Sequence, residues 1–207
     1  MNSERRQAFS LAGVLLGWSV VAPRIPQRWH PAPHLLLGTA AVRSTGAPLG
    51  LRPPALTRGL RWGSAAAGVV VAVVTLSTTL APVRAGIAAR TPPSSPARWL
   101  LLQIPLGTVW SEEAGYRAAL GSVAERAFGV VGGRWFTAAV FGLSHVPDAR
   151  AAGESVPGTV LVTGAAGWIF SWLRDRSGSL AAPMLAHLAV NEAGAVAAVL
   201  ISRRVTD

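Results

Sequence analysis

Apolar residues fall along this chain in long runs, separated by short stretches of Pro, Gly and Arg. A helix needs roughly 20 mostly apolar residues to cross a hydrocarbon core about 30 Å thick, and several runs approach that length. Residues 9–22 form a short run that ends at Pro23. Arg5 and Arg6 precede it as in a signal peptide, but no convincing Ala-X-Ala site follows, so it is read as a retained first span. Residues 35–42 are apolar but brief, which suits a tilted or re-entrant helix. Residues 63–81 make the cleanest span, with Val69–Val74 at its centre. Further spans are expected at 99–120, 134–146, 156–173 and 180–201. Between them lie the Pro- and Arg-containing loop 43–61 and the linker 84–98, where Pro92, Pro93 and Pro96 forbid a continuous helix. Six of the eight Trp stand near predicted span ends, as an interfacial belt requires.

The pattern predicts an all-α, polytopic membrane bundle of six or seven transmembrane helices. It forms one membrane domain over 1–207, with N-terminal helices and loops to residue 98 and a chemically distinct core at 99–201. Composition agrees with a lipid-facing surface. Half of the chain (51%) is apolar and only 14% charged, with mean hydropathy +0.41, whereas soluble domains carry about a quarter charged residues.

The net charge of +10 raises the question of nucleic acid. Every basic residue is Arg, and most flank apolar runs, as Arg24, Arg28, Arg174 and Arg176 do. No basic helix face or aromatic-interleaved basic patch is present, so the expected partner is the bilayer and not nucleic acid. An all-Arg basic set with much Ala and Gly points to a GC-rich genome, and the plasma membrane of a bacterium is the expected location. The Arg distribution favours a cytoplasmic N-terminus only slightly. Cys is absent, which excludes disulfide and thiolate chemistry.

Ionisable residues inside spans are costly and usually functional. Here they gather in three helices of the C-terminal half. The first group is Ser111-Glu112-Glu113-Ala114-Gly115-Tyr116-Arg117. Glu113 and Arg117 have the i, i+4 spacing of a helical ion pair. Glu112 projects about 100° away and lacks that partner. A salt bridge near a loop with a solvated second Glu would account for this group equally well. The second group closes a helix before Pro147, with Phe141 and His145 on one face. The third is His187 with Asn191, again i and i+4, in the middle of the last run. Helix–helix hydrogen bonding would also explain such a pair, but all three groups need partners away from lipid. A carboxylate, two imidazoles and a carboxamide on three converging helices can activate water and hold an oxyanion. Glu112, His145, His187 and Asn191 are therefore expected to line one cavity.

In this order the motifs EExxxR, FxxxH and HxxxN resemble the CPBP family of CaaX proteases and bacteriocin-processing enzymes, related to Rce1-type prenyl proteases and Abi proteins. The resemblance spans residues 99–201. It implies a glutamate-dependent intramembrane endopeptidase acting on a membrane-associated peptide or protein. Glu112 would be the general base, His145 would share its water, and His187 and Asn191 would donate to the oxyanion. Glu113, Arg117 and Phe141 would be supporting residues. No metal or other cofactor is expected, since HExxH is absent; the competing form of the enzyme is zinc-dependent, with one Glu and two His as ligands. A non-catalytic immunity or scaffold protein of the same fold, or a small proton-coupled transporter, would also carry polar residues in its spans. A scaffold has no need of all four site residues, and no inverted repeat of the kind transporters carry is visible.

Overall fold

Asn2 opens the first helix, its side chain accepting from Arg5 N at 3.0 Å. Such a cap satisfies one of the amides that a helix start leaves unpaired. This helix, α1 (Ser3–Val21), runs into a 3₁₀ turn at Ala22–Arg24 where Pro23 interrupts the chain. The computed structural model describes residues 2–26, 28–89, 93 and 95–206, and no strand occurs among them. Pro31 starts α2 (Pro31–Thr45), which stops at Gly46 with φ 62°. α3 (Ala55–Ser77) and the short α4 (Ala81–Ala88) follow. A turn at Pro96–Arg98, α5, leads into two π-helical stretches, π1 (Trp99–Trp110) and π2 (Glu113–Leu120). Pro105 inside π1 has no amide to donate. The chain then forms α6 (Gly121–Ser144), α7 (Val146–Ala152), α8 (Val156–Ser177) and α9 (Ala181–Thr206).

Several boundaries differ from those expected. The brief run 35–42 is the core of a 15-residue helix. The stretch 84–98 is partly helical, because Pro82 is tolerated in the first turn of α4; Pro92 lies outside the described residues. Residues 121–133, expected between spans, belong to α6, which Gly129 breaks with φ 74° and ψ 169°. That conformation is essentially open to glycine alone. The chain reverses there: Phe128 and Phe136 bring their ring centroids to 5.1 Å, whereas eight residues of straight helix would separate them by about 12 Å.

Four helices among the described residues are long and apolar enough to cross a membrane: Ala55–Ser77, Pro96–Ala152, Val156–Ser177 and Ala181–Ile201. The second is the one folded back at Gly129. Two of the expected spans fall short for simple reasons. α1 has Glu4, Arg5 and Arg6 in its first turn, and α2 is only about 22 Å long at 1.5 Å per residue. The whole is a multi-pass helical membrane bundle.

Large apolar side chains face outward on α3 (Val69, Val73, Leu76) and α8 (Leu161, Val162), a surface suited to lipid rather than water. Inside, small residues let backbones touch, as is usual between membrane helices. α3 lies along α9, where a Cβ on Gly63 would come within 3.0 Å of the Ala182 backbone. α6 lies along α8, where one on Gly142 would come within 2.6 Å of Val160 O. On α2, Gly38 sits against Ser111, and a Cβ there would be 2.9 Å from Ser111 Cα. Trp110 Nε1 also donates to Thr39 Oγ1 at 3.2 Å. These contacts fix α2 against the turn that carries Glu112.

Candidate active site

Ser111 and Glu112 sit at the junction of π1 and π2, in a short α-helical interruption of the wider coil. π-helical irregularities are frequent at functional sites. Glu113 and Arg117, which follow in π2, are buried completely or nearly so and form an ion pair at 3.4 Å between Glu113 Oε1 and Arg117 Nη1. A buried charge requires a partner, and this one also has a box. The Arg117 guanidinium carbon lies 3.8 Å from the Phe141 ring centroid and 5.1 Å from that of Phe170. Phe141 in turn is seated against Gly167, where a Cβ would approach it to 2.8 Å.

His187 joins α9 to this group. Its Nδ1 lies 2.7 Å from Glu113 Oε1. A carboxylate only accepts, so Nδ1 carries the proton. The opposite nitrogen, Nε2, is 3.8 Å from Glu112 Oε2. Phe170 stacks on the imidazole at 4.9 Å and 24°. The two glutamates that the helix geometry points apart thus meet the same ring from its two sides. Glu112, expected to lack Arg117 as a partner, faces His187 instead, at a distance beyond a hydrogen bond.

Glu112 keeps about a quarter of its side chain exposed (26%) and lines a cavity of about 850 Å³, together with His145 and Asn191. His187 does not line it; at 6% exposure it stands behind Glu112. Three of the four residues expected on one cavity are therefore on it, and the fourth is reached through the first. His145 closes α6, with its Nδ1 2.8 Å from Phe141 O. That carbonyl makes Nδ1 the donor and leaves a lone pair on Nε2 in the neutral ring. The Phe141 ring supports it edge-on at 4.7 Å. Asn191 Nδ2 donates to His187 O at 3.1 Å, one turn back.

Residues 94–193 match the family model described as Type II CAAX prenyl endopeptidase Rce1-like. This is an Rce1-like domain of the CAAX protease family. The match supports a CAAX-type intramembrane protease kind. Comparison with curated proteins and with solved structures gives no match.

The Rce1-like segment contains all three polar groups, yet the cavity they border extends beyond it. Trp18 of α1 and His30 and His34 at the start of α2 line it too, as does Asp148 of α7. His30 and His34 share the i, i+4 spacing of the other groups but fall in a Pro-rich segment that does not read as helix, and nothing in the spacing marks Trp18 or Asp148. Phe170, which stacks on His187, is one apolar residue in an apolar run and carries no signal of its own.

A zinc ion would need one Glu and two His as ligands. His187 holds Nδ1 on Glu113 and turns Nε2 toward Glu112 Oε2, 3.8 Å away. Among the described residues no three His, Asp or Glu side chains gather as a metal site.

Proposed function

We propose that the chain is a glutamate-dependent intramembrane endopeptidase of a bacterial plasma membrane, cleaving a membrane-associated peptide or protein without a metal. One observation carries the reading: Glu112 stands between a buried, carboxylate-held imidazole and an open cavity that His145 and Asn191 share.

In this mechanism a water in the cavity donates one hydrogen to Glu112 and the other to His145 Nε2, the nitrogen left free by the Phe141 carbonyl. Glu112 takes the proton as the water oxygen attacks the scissile carbonyl carbon. The carbonyl oxygen becomes an oxyanion and accepts a hydrogen bond from the Asn191 carboxamide, while His187, off the cavity, backs Glu112. Glu112 then returns its proton to the amide nitrogen as the C–N bond breaks, giving a carboxyl product and a free amine. Glu113 and Arg117 act from behind, orienting His187 and neutralising each other.

The experiment is a comparison of membrane proteomes from cells carrying the wild-type chain or Glu112→Gln. The reading requires intact substrates to accumulate in the variant, with the matching fragments confined to wild type. Identical fragment sets in the two membranes would sink it.

A further inference from the structure

His30 and His34 belong to no part of the Rce1-like segment, and the mechanism above does not use them. Each has one ring nitrogen committed to a backbone carbonyl: His30 Nε2 to Ile25 O at 2.6 Å, and His34 Nδ1 to His30 O at 2.7 Å. A carbonyl only accepts, so the committed nitrogen bears the hydrogen. In the neutral ring the other nitrogen, His30 Nδ1 or His34 Nε2, is an acceptor. The two rings lie 5.3 Å apart, and His34 meets Trp18 edge-on at 5.2 Å. Both imidazoles border two spaces at once. One is the cavity lined by Glu112 and His145; the other is a smaller pocket of about 170 Å³ completed by Trp99, Gln103, Gly107 and Thr108. Gly107 and Thr108 also border both, so the two spaces adjoin.

We propose that this side pocket is a specificity subsite that receives a substrate side chain flanking the scissile bond and selects one with a hydrogen-bond donor, a hydroxyl or carboxamide, over its apolar isostere. The proposal rests on the protease reading of the main cavity. Its chemistry is that of the wall: two imidazole acceptors beside the Thr108 hydroxyl. An apolar side chain of the same shape would strip water from these acceptors and return no hydrogen bond, and sites built in this way discriminate strongly against such isosteres. α2 is held in place independently through Gly38 on Ser111 and Thr39 on Trp110, so the pocket wall has a fixed position relative to Glu112.

The test uses the full chain in lipid nanodiscs and a peptide library paired as Thr against Val and Asn against Leu at each position around the cleaved bond. Wild type is expected to prefer the donor of each pair by about tenfold in kcat/KM at one position. His34→Phe, which retains an aromatic edge for Trp18, should bring that preference close to one. The same pairs are titrated onto Glu112→Gln, with and without His34→Phe, to read the preference in binding alone. Should His34→Phe misfold, Thr108→Val is measured in its place and should at least halve the preference. The proposal is overturned if no position favours the donor, or if the preference persists unchanged in the pocket variant. Absence of cleavage by wild type, with a binding preference that His34→Phe removes, would refute the protease reading while leaving the subsite. No cleavage and no binding preference would end both.

Discussion

Neutralising Glu113 should cost stability more than it costs chemistry. Glu113 and Arg117 are 3.4 Å apart with essentially no exposure, so at an effective dielectric of about 20 their attraction amounts to about 5 kcal/mol. Removing one member of a buried pair typically costs about 3–5 kcal/mol, because the other charge is left behind, whereas exchanging both for apolar groups is often neutral. Here the orphan would be a buried guanidinium between Phe141 and Phe170. Glu113→Gln is therefore expected to destabilise the protein by about 3–5 kcal/mol, and Arg117→Met by a similar amount. The double variant should be less destabilised than the sum by at least 2 kcal/mol or so. The measurement is reversible unfolding of all four proteins in the same mixed micelles, analysed as a double-mutant cycle. Cleavage per folded molecule is assayed alongside. A Gln at 113 still offers a carbonyl oxygen to His187 Nδ1–H, so turnover should fall much less than in Glu112→Gln. Strict additivity of the two substitutions would refute the ion-pair argument. A fully folded Glu113→Gln that is inactive, beside a Glu112→Gln that cleaves, would reverse the assignment of base and support.

Replacing Glu112 by Gln should lower kcat about 10²–10⁴-fold, the usual loss of a general base, with KM little changed in steady-state assays. Cleavage should survive EDTA and phenanthroline; loss of activity restored by added zinc would show that a metal takes part. Gly38→Ala should lower stability by about 1–3 kcal/mol and reduce activity as well, because its Cβ would lie 2.9 Å from Ser111 Cα, beside the base; thermal unfolding and turnover read the two effects. Gly129→Ala should cost about 1–3 kcal/mol from its φ of 74° and ψ of 169°, with turnover per folded molecule unchanged.

The chemistry was legible where polar residues interrupt apolar runs at helical spacing. Glu113 and Arg117 pair as their i, i+4 spacing predicts, and the membrane bundle follows from the runs themselves. What the spacing could not convey is what other helices bring. The 100° between Glu112 and Glu113 is a statement about one helix, and it gave no hint that His187 from α9 would stand between them. His30 and His34, four residues apart, do not stand out because Pro31 and Pro33 between them disguise a helix start, and the wall they build exists only once α2 docks on Ser111. The stretch 121–133, with Ser122, Glu125 and Arg126, has the polarity of a loop, and it is instead helix on both sides of one glycine. Its reversal depends on the conformation of Gly129, which composition does not express.

The pairing of Glu113 with Arg117 also bears on how the chain enters the bilayer. Spans are delivered to the membrane in order, and when π2 arrives, α8 and α9 have not yet been made. Each lone charge at the centre of an inserting helix is penalised by about 2.5–3.5 kcal/mol on the scale of the insertion machinery. Because carboxylate and guanidinium are one turn apart on the same segment, they can neutralise each other during delivery, with no help from later helices. Phe170 and His187 then close around a pair already formed. Had the counter-ion of Arg117 been placed on α9, the segment would have had to wait in lipid with an uncompensated charge.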